Sequence, residues 1–185
     1  MKKLVFLMAA VCLFSIAAFA QDKKADFSGT WTLDVSKSKL DERARIESMT
    51  MTVTQSAKDL KVDTKTIRAA RPEGAPGGTG GGGGMGRGGG FGNGESSTTY
   101  SLDGKETTIE QDSPMGKMPV KLMAKSDGGK IGLSSSRTMS GPNGEVTIST
   151  KETWELAADG KTLTVNRDQT TPRGTSSSTM VFVKK

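Results

Sequence analysis

The sequence predicts an all-β protein, an antiparallel up-and-down β-barrel of about 8 to 10 strands. Three observations point there. Short stretches alternate apolar with polar residues, turn residues separate them, and the registers those turns impose bring apolar residues opposite apolar residues.

Each element is read in order. Trp31, Leu33 and Val35 share one face of a first strand, and a polar stretch with a short helix over 40–47 follows. Met49, Met51 and Val53 alternate with threonines, and a turn over 56–59 leads to Leu60 and Val62. Past a glycine tract come Thr98, Tyr100 and Leu102, the turn Asp103-Gly104, then Thr107 and Ile109. Met118, Val120, Leu122 and Ala124 form the next strand, and Asp127-Gly128-Gly129 turns into Ile131 and Leu133. Gly141-Pro142-Asn143-Gly144 turns into Val146, Ile148, Trp154 and Leu156, and Asp159-Gly160 into Leu163 and Val165. Met180 and Phe182 lie on the last strand.

Turn length fixes register, and a slip of one residue would turn every side chain to the other face. A two-residue turn at Asp159-Gly160 sets Leu156 against Leu163 and Trp154 against Val165. A four-residue turn at Pro142 sets Met139 against Val146 and Ile131 against Trp154. The same reasoning at Asp103-Gly104 sets Tyr100 opposite Thr107 and Thr98 opposite Ile109. The two Asp-Gly-Lys turns are hairpin punctuation; their spacing makes no solenoid repeat.

Residues 1–20 read as a signal peptide. Lys2 and Lys3 are followed by an apolar run over 4–14 and the A-x-A site Ala18-Phe19-Ala20, so the mature chain is expected to start near Gln21. The apolar run is too short and wrongly flanked to span a membrane. Cys12 lacks the small residue before it that a lipoprotein site needs. The expected product is exported, periplasmic or extracellular, with residues 21–185 forming one domain.

That product carries 24 basic and 20 acidic residues and neither Cys nor His. Disulfides, Cys or His nucleophiles, imidazole acid–base chemistry and typical zinc sites are thereby excluded. Carboxylate chemistry, a Ser–Lys arrangement and oxygen-ligand metal sites stay open. No catalytic residue, metal site or cofactor is expected. Leu, Ile, Val and Phe make up about 15% of the mature chain, a value met in disordered sequences. The small net charge and the sustained alternation favour a thin-cored β-protein rich in Thr and Ser instead.

Residues 74–94 are glycine-rich and read as a flexible insertion between strands, with a tether or a cover over the barrel mouth as the alternative. A Gly-x-Gly-x-x-Gly match within it lacks the Lys-Ser/Thr and the strand–helix unit of a phosphate loop. A single Arg87 beside Phe91 does not make a nucleic-acid segment, and no nucleic-acid partner is expected.

Gly29-Thr30-Trp31, preceded by Phe27, resembles the Gly-x-Trp signature of lipocalins and the wider calycin group. More narrowly, the chain resembles bacterial exported lipocalin-like domains, which begin FxGxW, carry a late Asp-Gly-Lys turn and end in an apolar strand. The resemblance implies that Trp31 closes one barrel end beneath a cationic side chain, with Lys184, Lys185, Arg167 and Arg173 as candidates. Gly29 and Trp31 are then structural. The chain departs from lipocalins in its absent cysteines, its glycine insertion and its ten strands; ten would fit the fatty-acid-binding branch.

Three charges fall on inward faces. Glu152 shares the apolar face of its strand, the Asp159-Gly160 register sets it opposite Arg167, and Arg137 shares the face of Ile131 and Leu133. Such a pair is costly to desolvate, and its presence points either to a ligand headgroup site or to a rim ion pair of small value. Val181 and Val183 face outward, so a neighbouring segment or a partner chain is expected over the last strand.

The leading functional expectation is a non-enzymatic barrel holding a small apolar or amphipathic ligand. Arg137, Glu152, Arg167, Trp154 and Tyr100 are the ligand-binding candidates, and methionines make an adaptable wall. The alternative is a structural or interaction protein of the cell envelope. A carboxylate hydrolase using Glu152 with Asp168 or Glu155 is disfavoured, because adjacent strand residues face opposite ways. Outward faces of Thr, Lys and Glu argue against a membrane-spanning barrel.

Overall fold

The computed structural model describes residues 25–41, 44–70, 94–113, 116–141 and 144–185. The signal peptide, all of the glycine tract but Gly94, and the Pro142-Asn143 turn lie outside them. Ten strands follow in order: β1 (Gly29–Leu33), β2 (Ile46–Gln55), β3 (Asp59–Arg68), β4 (Gly94–Ser101), β5 (Thr107–Ser113), β6 (Gly116–Asp127), β7 (Lys130–Gly141), β8 (Gly144–Leu156), β9 (Thr162–Thr171) and β10 (Gly174–Lys184).

All pairings described are antiparallel between sequence neighbours, save that β1 also pairs β10. The sheet order runs β4-β3-β2-β1-β10-β9-β8-β7-β6-β5, so the wall closes through the chain ends. This is the up-and-down barrel expected from the alternation, with one seam between β4 and β5 where no ladder forms.

The alternation is realised strand by strand. Met49, Met51 and Val53 are buried on β2, and Val120, Leu122 and Ala124 on β6, while the residues between them face out. Registers match expectation at two hairpins: Leu156 pairs Leu163 and Trp154 pairs Val165 between β8 and β9, and Met139 pairs Val146 between β7 and β8. The outward wall is laced with exposed ion pairs such as Lys130–Glu155 and Lys65–Glu95, each worth about 0–1 kcal/mol.

Two expectations fail. The Asp103-Gly104 hairpin does not exist: Tyr100 pairs Leu60 and Thr98 pairs Val62 on β3, whereas Thr107 pairs Leu122 and Ile109 pairs Val120 on β6. The Leu102 N–H bonds the Lys58 carbonyl, which keeps the chain on β3 past the end of β4 before it crosses to β6. The helix expected over 40–47 is cut short: among the described residues only Ala44 is 3-10 helical, its N–H bonding the Asp41 carbonyl, and β2 already starts at Ile46. A 3-10 turn also occupies Val35–Lys37, capped by Asp34, whose Oδ1 accepts from the Lys37 N–H.

That segment covers β10. The Asp34 N–H bonds the Val181 carbonyl, the Val181 N–H bonds Ser38 Oγ, and Lys39 bridges to Thr179. Val181 is thereby half-buried, while Val183 stays 41% exposed.

The core sits at the end where β1 begins and β10 ends. Trp31, Leu60 and Leu163 are fully buried there, with Phe27 and Trp154 ring-to-ring at 6.1 Å in an edge-on arrangement. Trp31 Nε1 donates to the Phe27 carbonyl at 2.9 Å, so its one polar atom is satisfied. Gln55 fastens the chain before β1: its Oε1 accepts from the Phe27 N–H and its Nε2 donates to the Ala25 carbonyl.

Outside this floor, Lys184 Nζ lies 5.2 Å from the Trp31 ring centroid, so Lys184 takes the cationic role. Arg167 faces the lumen and Arg173 sits in the β9–β10 turn. Gly29 makes room for Lys184. It adopts φ +137, and a Cβ there would come within 2.5 Å of Lys184 Cε.

Candidate functional site: the barrel lumen

Nine of the ten strands contribute side chains to one interior cavity. Its floor half is apolar, with Met51, Leu122, Leu133, Trp154, Val165 and Phe182. Farther from the floor, β3 and β4 present Thr64, Ser96 and Thr98, joined by Ser135 and Thr150 across the lumen. Alternation explains both halves: each strand carries its large apolar residues near the floor and hydroxyls at the same inward phase farther along.

At the boundary stands the pair expected from register. Glu152 and Arg167 are directly opposite on β8 and β9. Arg167 Nε lies 3.8 Å from Glu152 Oε1, an ion-pair rather than a hydrogen-bond distance, with the two side chains 9% and 17% exposed. Among the described residues these are the only charged side chains lining the cavity. Burial pushes the Arg167 guanidinium down to about 10, Glu152 and Tyr100 opposing and Arg68 adding to the fall. It remains a cation at neutral pH.

Tyr100 and Trp154 join the pair. Trp154 Nε1 donates to Glu152 Oε2 at 2.8 Å, so the tryptophan is both wall and hydrogen-bond donor. Tyr100 lines the lumen from the edge strand β4, and burial raises its phenol well above the ordinary value, with the Glu152 charge adding to the rise and Arg167 opposing it. The cluster thus unites four of the five candidates: Tyr100, Glu152, Trp154 and Arg167. Arg137 is apart. It faces inward on β7 and is 8% exposed, but it does not line this cavity.

Residues the sequence did not single out complete the picture. Arg68 closes β3 on the inward face of Thr66, donates through Nη1 to the Ala44 carbonyl, and lies near enough to Arg167 to lower its proton affinity. Thr66 is buried, and its Oγ1 has no hydrogen-bond partner among the described residues. The even-numbered inward phase of β3, set by Leu60 and Val62, contains both residues and would have found them.

The space left between these side chains is about 80 Å³. That is room for two or three waters at roughly 30 Å³ each, well short of the roughly 300–1,000 Å³ of a drug-sized site. The methionines and aromatics fill much of the lumen rather than framing an empty one.

Other chemistries find little support. Asp168 and Glu155, the proposed partners of Glu152 in a hydrolase, face outward; Asp168 accepts from Ser177 Oγ and Glu155 pairs with Lys130. Among the described residues no group of three or more His, Cys, Asp or Glu could hold a metal ion, and no helix is long and apolar enough to cross a membrane.

No family model matches the chain, and no curated protein matches it. Among solved structures, the zebrafish ileal bile acid-binding protein, crystallised with cholic acid, aligns over 86% of this chain and 98% of its own at 17% identity and a TM-score of 0.47. That likeness is too loose to carry an argument about function.

Proposed function

We propose that this chain is a non-enzymatic binding barrel that holds a small amphipathic anion, its acid group at Arg167 and its apolar part toward Trp154 and Phe182. The observation that carries this reading is the desolvated Glu152–Arg167 pair at the junction of an apolar floor and a hydroxyl-lined upper lumen. Replacing a buried ion pair by apolar residues is often neutral or stabilising by about 1–4 kcal/mol, so folding alone does not require it. A guanidinium is suited to an oxyanion because its fork offers two parallel donors. Tyr100, on the wall of this cavity, supplies a phenol that stays protonated.

The free space sets the size class. In this form of the barrel the ligand is a short-chain acid of a few carbons. A larger amphiphile requires the lumen side chains to give way, which suits walls built on Met49, Met51 and Met180. Export from the cytoplasm, with removal of residues 1–20, and membership of the bacterial exported lipocalin-like group belong to the same reading.

Calorimetric titration of the mature chain with butyrate, hexanoate and hexyl phosphate tests it. Saturable binding that Arg167→Met abolishes is expected. Absence of binding for all three, or binding that Arg167→Met leaves unchanged, overturns the proposal. Native mass spectrometry of the freshly purified protein then identifies what the barrel carries.

A further inference from the structure

Arg137 occupies a different position from Arg167, and its surroundings lack the compensation Arg167 has. It sits on β7 in an inward row of apolar residues, with Val120 opposite on β6 and Ile148 opposite on β8. Ile109 continues the row from β5. Val120 and Ile148 are themselves buried, and Arg137 is 8% exposed. Among the described residues Arg137 forms no ion pair and no hydrogen bond, and its Nε is buried without a partner. Burial alone lowers its proton affinity; no neighbouring charge acts on it. Its Nε thus bears a desolvation cost that no neighbour in the described wall offsets.

The two arginines stand at different levels of the barrel wall. Ile148, opposite Arg137, is four residues along β8 from Glu152, opposite Arg167. At about 3.3 Å per residue the two levels are roughly 13 Å apart along the strand. Arg137 is also absent from the cavity that Arg167 lines.

We propose that Arg137 anchors a second oxyanion-binding subsite, on the β5–β8 side of the barrel and displaced from the Glu152–Arg167 cluster toward the β7–β8 turn. The group it takes is a phosphate, sulfate or carboxylate, bound through the guanidinium fork with the apolar row excluding water around it. Such a group comes either from a free oxyanion or from the acid head of an amphiphile whose tail lies against Ile109, Val120 and Ile148. The subsite goes beyond the reading of Arg167 and does not depend on it. The bland alternative is that Arg137 serves as packing. Its aliphatic stem does pack, but a methionine would supply the same stem without the charge.

The test follows the Nε–H resonances of the arginines by nitrogen-edited NMR on the mature chain, titrated with inorganic phosphate and, separately, with octyl phosphate. Arg137→Met identifies the Arg137 signal, and Arg167→Met removes the first site. The expected result is a saturable shift of the Arg137 resonance that persists in Arg167→Met. Arg137→Met weakens the corresponding binding by about tenfold to a hundredfold, the loss expected for hydrogen bonds to a charged group. Arg137→Lys, which keeps the charge and loses the fork, falls between. Response to both ligands identifies a free-oxyanion site, and response to octyl phosphate alone identifies an amphiphile head; either supports the subsite. Tm separates binding from packing: Arg137→Met is expected to hold or raise it. Failure of both ligands to move the Arg137 signal overturns the proposal. So does a fall in Tm of more than about 5 °C in Arg137→Met, since Arg137 is then a structural strut. If the Arg167 site fails while Arg137 still responds, only the first reading falls.

Discussion

The two ends of the lumen follow opposite rules with the same ten strands. At the Trp31 end the indole donates to the Phe27 carbonyl, Gln55 ties down residues 25–28, and Lys184 lies over the ring from outside. Farther along, the inward phase carries Glu152, Arg167, Thr66 and Arg137, and two of these, Thr66 and Arg137, have buried polar atoms with no partner among the described residues. The first arrangement is what stability asks of a core. The second costs stability, and the proposed binding role rests on that cost.

Substitutions can break that contrast. The largest effect belongs to the floor: Trp31→Ala should cost about 3–5 kcal/mol in chemical denaturation, since it empties a fully buried site. A loss under about 1 kcal/mol would mean that the floor is not the main core. Glu152→Ala comes next, at about 3 kcal/mol, because it leaves Arg167 without its carboxylate in the lumen. Its sharper control is the double variant Glu152→Met with Arg167→Met, expected to recover most of that loss while abolishing anion binding; a double variant as unstable as the single one would make the pair structural.

Smaller effects refine the picture. Lys184→Ala should cost about 0.5–1 kcal/mol, the range for an exposed cation over an indole, and leave anion binding intact. The same variant losing ligand would show that the two ends are coupled. The last is spectroscopic. Tyr100 is the chain's one tyrosine, so phenolate absorbance reports on it alone. Its folded-state proton affinity is raised by burial and by Glu152, hence its stabilising contribution is full below pH about 10 and is lost as pH rises through the folded value. Titration at or below pH 10 in the folded protein would place Tyr100 outside the lumen.

How far the sequence disclosed this molecule depended on which turns closed a hairpin. The Asp159-Gly160 and Pro142 turns set registers that held along whole strands, and with them the Glu152–Arg167 pairing. The Asp103-Gly104 turn uses the same local chemistry: the Asp103 side chain accepts from the Lys105 N–H much as Asp159 accepts from the Lys161 N–H. Yet one turn joins paired strands and the other bridges the seam. The difference comes from β3 and β6, which hold β4 and β5 from their far sides, and local spacing does not encode that competition. Trp154 as a donor to Glu152 follows from their i, i+2 spacing on one strand face. The filled lumen does not follow from pattern, since alternation says which way a side chain points and not how much room remains once ten walls meet.

The β4–β5 seam has a mechanical meaning. Elsewhere around the wall, any increase in girth must pull apart main-chain N–H···O=C ladders, and these give way together. Between Gly94–Ser101 and Thr107–Ser113 no main-chain ladder joins the two edges. Swelling to admit a bulkier guest is therefore concentrated along that one line, like a split ring that springs at its slit while the rest of the hoop keeps its shape.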